Sequence, residues 1–365
     1  MSAVMAVAGH GTPALQTGLH AQLAAARRSG LRAREAAHSL GLSEGAALAA
    51  HAGVVEGALQ VTALHGPWVE LLQGLEACGP VMALTRNDAA VHEKTGVYRN
   101  VSAEGPVGLA LDADIDLRLF FRSWHAGYAV QEAAAQPGQA PQHSLQFFNA
   151  QGLAIHKVFA RAATDLTAWN ALVARFADPQ AAPAVFAAAT PPKPLRPDSE
   201  IDVAALAADW AAMQDTHEFF TLLQRHGVER QQSFRLVEGS FAQRVPCTAV
   251  WRLLAEAAVD GTPIMVFVGS GGCIQIHSGP VQRVEPMVRG DVCWLNVLDP
   301  GFNLHLREDL IDSVWVVEKP TVDGIVTSVE VFDAQSELIA MFFGVRKPGS
   351  PELPAWRDLV GRLPR

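Results

Sequence analysis

Close cysteine pairs are missing. The four cysteines, Cys78, Cys247, Cys273 and Cys293, form no CxxC spacing. That excludes thiolate zinc knuckles and dithiol redox motifs, and it fits a reducing compartment. Positive charge is in deficit too. With 28 Lys and Arg against 37 Asp and Glu, the net charge is -9, which argues against broad, non-specific nucleic-acid binding. No membrane span is read, and the opening MSAVMAVAGHGTP lacks a basic segment before Gly and Pro interrupt it, so no leader is read either. The expected location is cytoplasmic. Neither GxSxG nor HExxH occurs, because HEFF at 217–220 has no second histidine. GSGGCI, from Gly269, lacks the Lys and Ser/Thr of a phosphate loop, and a tight hairpin turn accounts for it better.

What is present is a duplication. SLQFFNAQGLAIHKVF starts at Ser144 and SVEVFDAQSELIAMFF at Ser328, 184 residues later. Leu111–Asp112 and Leu298–Asp299 are 187 apart, as are Trp169 and Trp356, while VHEKTGVYRNV and IQIHSGPVQRV differ by 183. Each half reads as helical first, then strand-rich, then a closing helix. Strand runs such as IMVFV, IVTSVEVF and LIAMFFGV carry β-branched and aromatic residues, and no regular βαβ alternation appears. The expected class is α+β, internally duplicated, with two large curved antiparallel sheets flanked by helices. The expected division is a poorly ordered 1–30, a first half 31–176, a Pro/Ala-rich linker 177–200 and a second half 201–365.

Three stretches are candidates for chemistry. MQDTHEFFTLLQRHG (213–227) reads as a short helix from about Thr216 to Gly227, with Asp215 and Glu218 as a capping box. His217 falls in its first turn, where the helix dipole disfavours an imidazolium and a neutral ring keeps a lone pair for a metal. The alternative is a half-buried, hydrogen-bonded histidine. His226, at the far end, suits a structural capping role. HEKTGVYRNV (92–101) places Arg99 in a strand, where its guanidinium would hold a carboxylate or order a water. Its counterpart in the repeat is Gln282, so the halves differ there. LRAREAAHSLGLSEGAALAAH (31–51) has the outline of a helix-turn-helix, but its second helix has no basic residue, and two packed helices explain it better. Phe267, Phe342 and Phe343 lie in strands; core packing explains such aromatics, and so would a flat apolar cofactor with an axial imidazole, which is haem.

DTHEFF, VFVGSGGCIQIHSGPV, WLNVLDPGFNLHLREDLI, WVVEKPTVDGIVTSVEVFD and GVYRNV together resemble the proteobacterial hemin-degrading and haem-transport proteins of the HemS/HmuS type, over about residues 30–360. The resemblance implies haem b held between two repeated halves. It implies His217 as axial ligand, Arg99 on the opposite iron face, Phe267 and Phe343 against the porphyrin, and Lys319 at a propionate. Phe343 stands where the family usually has Tyr, and Glu318 where it commonly has a basic residue. Members look like carriers or like haem-cleaving, haem oxygenase-like enzymes. The implied partners are haem, a haem oxygenase or other haem acceptor, and an external reductant, since the chain has no flavin or nicotinamide motif. A homodimer is compatible with this reading. The alternatives are a DNA-binding regulatory module built on residues 31–51 and a ligand-free structural dimer.

Overall fold

The computed structural model describes residues 13–54, 57–134, 138–189, 191, 194–346 and 349–365. It contains two compact units. The first comprises residues 1–86, 93–191 and 270–275; the second comprises 87–92, 192–269 and 276–365.

The first unit opens with helices α1 (Pro13–Arg28), α2 (Ala33–Ser39) and α3 (Glu44–His51), then strand β1 (Leu59–Leu64) and α4 (Trp68–Gly74). Strands β2 (Val81–Arg86), β3 (Ala90–Gly96), β4 (Ser102–Glu104), β5 (Val107–Leu111), β6 (Asp116–Phe120), β7 (Ala126–Glu132), β8 (Gln142–Phe148) and β9 (Ala154–Ala160) follow, closed by α5 (Leu166–Phe176). The second unit opens with α6 (Val203–Ala211), α7 (Glu218–His226), α8 (Arg230–Leu236), β10 (Ala242–Val245) and α9 (Ala249–Asp260). There follow β11 (Ile264–Gly269), β12 (Cys273–Gly279), β13 (Val284–Arg289), β14 (Val292–Asp299), β15 (Phe302–Arg307), β16 (Ser313–Thr321), β17 (Gly324–Phe332), β18 (Leu338–Gly344) and α10 (Pro354–Gly361); β3 and β12 are each divided, with Ala90–His92 counted in the second unit and Cys273–Gln275 in the first.

The duplication is visible strand by strand. The first unit carries the antiparallel run β1-β7-β8-β9-β2 and the meander β4-β5-β6. The second repeats both as β10-β16-β17-β18-β11 and β13-β14-β15. Even the irregularities repeat. The β8–β9 pairing slips between Phe147 and Phe148, and the β17–β18 pairing slips between Val331 and Phe332, 184 residues on. Trp169 of α5 and Trp356 of α10 are both buried closing tryptophans.

Burial follows the strand period of two. Val314, Val316, Val329 and Val331 face a core with α9 and α10. Trp315, Val317 and Phe332 point the other way, against Leu206, Trp210, Phe219, Leu222 and Phe234 of α6–α8. The second sheet run is thus covered on both faces at β16 and β17, which is why Val314–Val317 of β16 reads as an unbroken apolar run.

Several expectations need correction. Part of the segment expected to be poorly ordered, Pro13–Arg28, is a helix, and its Leu19 and Leu23 pack with Ala37 and Ala47; residues 1–12 lie outside the described residues. The Pro/Ala-rich linker is partly docked, because Phe186 packs beside Leu48 and Phe148. Residues 31–51 do form two helices, and Ser43 Oγ accepts the Ala46 N–H at 3.2 Å as their cap. However, Glu44, Gly45, Ala47, Leu48, Ala49 and His51 of α3 are buried, so this helix has little face left to read a DNA groove. Ser270–Gly272 is the expected turn, with Gly271 at φ +77 and the Ser270 N–H donating to Cys273 O at 2.9 Å.

Candidate functional site

Helix α7 presents two faces. Phe219, Leu222 and Leu223 pack into the sheet, while Phe220, Thr221 and Gln224 face solvent. The helix starts at Glu218, two residues later than Thr216, and ends as expected at Gly227 in the left-handed region, φ +60. The expected capping box is not formed: the N-cap His217 makes no side-chain cap bond, and the Glu218 carboxylate instead accepts the Gln214 N–H at 2.9 Å.

His217 is the N-cap, and its side chain is 95% exposed. It is neither half-buried nor in the core. Asp215 Oδ1 accepts both the His217 backbone N–H, at 2.8 Å, and its ring Nδ1–H, at 2.6 Å. Those two bonds hold the Asp215 carboxyl below its ordinary range, so it stays ionised and can only accept. The proton is therefore on Nδ1 and the lone pair on Nε2. A carboxylate behind one ring nitrogen, with the other open to solvent, is the arrangement that orients metal-binding imidazoles. An exposed pair of this kind adds little to stability, so the fold does not require it. Phe220, one turn further on, is 68% exposed, a large apolar ring left to solvent on the same helix. His226 does not cap carbonyls. Its Nε2 meets Asp209 Oδ2 at 3.0 Å and ties α7 to α6.

Strand register relates the candidate aromatics to α7. Trp315 lies opposite Glu330, Glu330 opposite Met341, and Met341 opposite Phe267. The next row runs Val317, Ser328, Phe343, Met265. Directly paired residues share a face, and Trp315 and Val317 are on the face that α6–α8 cover. Phe267, Phe343, Met265 and Met341 therefore lie on the side of the sheet that carries α7. There they are only half-buried, and the Phe267 and Phe343 rings meet edge to face at 5.1 Å. The result is an apolar, sulfur-rich platform, adaptable in the way methionine surfaces are.

Lys319 is not on that platform. It is buried, with Nζ 2.9 Å from Glu330 Oε1 and 4.7 Å above the Phe219 ring. The expected contact with a propionate is corrected accordingly: the ammonium is spent holding β16 to β17 beneath α7. Burial lowers its pKa to about 8. Burial works to raise that of Glu330, but Arg230 and Lys319 outweigh it and hold the carboxylate at about 2. Arg230, at the start of α8, grips Glu330 through Nε at 2.6 Å and a second nitrogen at 2.9 Å, and the latter also lies 3.3 Å from Met341 Sδ. Two cations on one carboxylate leave a surplus positive charge. Arg230, whose side chain is 29% exposed, is the member that reaches solvent. The sequence reading missed it, although arginine opening a helix after Gly227 was a visible signal; the alternation in IMVFV and IAMFF also marked Met265 and Met341.

Arg99 belongs to the first unit. It lies beyond the end of β3 rather than within a strand. Tyr98, fully buried, and Asn100, in the left-handed region at φ +51 with its amide donating to Leu111 O, pin the turn on either side. Arg99 is left pointing outward, 55% exposed, 3.6 Å from Asp112. In the second unit the matching Gln282 and Arg283 give backbone N–H groups to Asp299. The carboxylate is kept in both repeats, and only the first offers it a side-chain cation.

Among the described residues, no group of three or more His, Cys, Asp or Glu side chains is placed to hold a bare metal ion, and no helix is long and apolar enough to cross a membrane.

Comparison with known proteins agrees with this architecture. The model of the "Haemin-degrading HemS.ChuX domain" family matches twice, at residues 41–176 and 227–363. The hemin transport protein HemS of Yersinia enterocolitica is 39% identical over 350 residues, covering 93% of this chain and 95% of that one. Among solved structures, holo-PhuS, a heme-binding protein from Pseudomonas aeruginosa, is 44% identical with a TM-score of 0.88, over 97% of this chain and 99% of that one. The heme degrading enzyme ChuS of Escherichia coli O157:H7 is 36% identical with a TM-score of 0.86, over 96% and 100%. Two matches to one domain, in register with the repeated strands and joined to relatives aligned almost end to end, establish that the chain belongs to the haemin-degrading HemS.ChuX family.

Proposed function

We propose that this chain binds haem b through Nε2 of His217 and serves haem uptake and utilisation, handing the haem on or opening its macrocycle. One observation carries the reading: an exposed imidazole whose Nδ1–H is tied to Asp215, leaving Nε2 free, on the side of a sheet that presents Phe267, Phe343, Met265 and Met341. A single imidazole is a poor site for bare iron. A haem iron already has four ring nitrogens and needs only an axial donor. The apolar platform suits a flat macrocycle, and Arg230 offers a charge for its carboxylates. The transport and heme-degrading relatives make the same cargo the economical choice.

Haem is cargo or substrate here. This chain's residues would bind and orient it, and Arg99 would order whatever ligand occupies the iron face away from His217. Electrons for cleavage would come from an external donor, and intact haem would pass to an acceptor, a haem oxygenase among the candidates. The test is titration of the purified chain with hemin, followed by absorbance, beside His217→Ala. The variant should bind at least 10-fold more weakly, with a displaced Soret band. Unchanged spectrum and affinity would remove His217 from the iron.

A further inference from the structure

A cavity lies wholly in the first unit. Its volume is about 260 Å³, and Arg122, Ser123, Trp124, His125, Asn149–Gln151 and Gly271 line it. At ~30 Å³ per water, it holds roughly nine waters. Drug-sized and cofactor pockets run from ~300 Å³ upward, so this one suits a small ion with part of its hydration, not a macrocycle.

The wall has the chemistry of an anion site. No Asp or Glu lines it. Arg122 is exposed and has no hydrogen bond or ion pair among the described residues. Asn149 Oδ1 accepts the N–H groups of Gln151, at 3.0 Å, and Leu153, at 2.9 Å. That leaves the Asn149 amide hydrogens as donors. The Ser123 hydroxyl points at Gly271 O, 3.3 Å away. His125 Nε2 sits 3.0 Å from Val185 O. A carbonyl only accepts, so that nitrogen carries the proton and the ring adds no negative charge.

The repeat supplies a control for what the corner needs structurally. His125 N donates to Phe148 O at 2.8 Å, and Asp312 N to Phe332 O at 2.9 Å, so the two corners are built alike. The positions of Arg122, His125 and Asn149 are taken in the second unit by Asp309, Asp312 and Asp333. Asp333 Oδ1 accepts the N–H groups of Gln335 and Glu337, both at 2.9 Å, as Asn149 does in its own turn. The turn therefore accepts a carboxylate, and the amide at 149 is not required by it. In the second unit Asp309 pairs with Arg307 at 2.6 Å and Asp312 with Arg244 at 3.8 Å. Where the second unit has three acids, the first has a guanidinium, an imidazole and an amide, and among the described residues its guanidinium is unpaired.

We propose that this corner cavity binds a small oxyanion, with the Arg122 guanidinium as its fork-shaped charge and the Asn149 and Gln151 amides as neutral donors. Inorganic phosphate and a short carboxylate share that chemistry. Isothermal titration of the full chain at constant ionic strength distinguishes them, with sodium phosphate and sodium acetate as separate arms and chloride as the balancing salt. Arg122→Asp is the test variant. Arg289→Asp, an exposed arginine of β13, controls for net charge, and circular dichroism of both variants checks folding. Saturable binding of at least one anion is expected, weakened 10-fold or more in R122D and kept in R289D. The anion that saturates identifies the ligand class. If neither anion saturates, or if R122D binds as well as the parent chain, the proposal is overturned.

Discussion

At the scale of single residues, the informative feature of His217 is what stands behind it. Asp215 contributes little to the fold and a good deal to the ring: it sets the tautomer and the direction of Nε2. Asp215→Asn keeps the size but removes the ionised acceptor. Haem affinity should fall by about 10-fold or more, with the urea midpoint unchanged, as measured by hemin titration and chemical denaturation side by side. If the two properties fall together, Asp215 is a structural residue. Arg99 makes the opposite case. It is half free and held outward by its neighbours, so Arg99→Ala should leave haem affinity within about 3-fold while slowing reductant-driven loss of the Soret band. A lost donor at a reacting centre commonly costs ~3 kcal/mol of barrier. The decay assay needs catalase, because free peroxide destroys haem unaided. Decay at the parent rate with much weaker binding would make Arg99 a binding residue instead.

At the scale of elements, the two repeats keep the same strands but fill their interiors differently. In the first unit β2, β9, the loop between β3 and β4 and the start of β12 carry a buried polar chain. Gln275 Nε2 donates to Ala83 O at 3.0 Å, Thr85 donates to Gln275 Oε1 at 2.9 Å, and His156 lies between Thr85, at 2.9 Å, and Tyr98, at 2.6 Å. Because the Thr85 proton goes to Gln275, His156 must donate from Nδ1 and accept the Tyr98 proton at Nε2. In the second unit the positions of Thr85, Tyr98 and His156 hold Val268, Val281 and Ala340, all in the apolar core. Burial depresses the His156 pKa to about 3 from 6.5. The sign follows directly: between those values the unfolded chain takes up a proton that the native chain refuses, so stability falls as pH drops through 6.5 toward 3. From pH 7 to pH 4 this amounts to about 3 kcal/mol at ~1.4 kcal/mol per unit. Urea denaturation at the two pH values should show that loss in the parent chain and a markedly smaller one in His156→Ala. Equal losses would mean that the carboxylates alone govern acid sensitivity.

At the scale of the whole molecule, duplication has not produced two equal sites. Residues 31–33, which align with His217, are Leu-Arg-Ala and contain no imidazole. The position of Met341 is Lys157, buried and paired with Glu44, and that of Phe267 is Leu84. Met82 and Phe159 keep the positions of Met265 and Phe343, but where the second unit presents Met341 the first has an ion pair. One haem per chain is therefore expected. A hemin titration with a break at two equivalents, both abolished or shifted by substitutions outside α7, would contradict it.

The amino-acid sequence by itself determined the class and the duplication, and it marked His217 as a candidate. Those rest on local pattern: a period of two in the strand runs, a near-constant offset between repeats, and a Gly-terminated amphipathic helix with an acid before its first turn. Tertiary structure decided the state of each side chain, because exposure and pairing depend on residues far away in the chain. His217 and Lys319 both looked like ligand-facing groups in sequence. One is 95% exposed and the other is buried on Glu330, and the difference is made by α7 and by strand register. Arg230 and the methionine platform became visible only when β16, β17, β18 and β11 were set in order. The corner at Arg122 needed the second unit as its comparison, since only superposed turns show which of its residues the fold does not require.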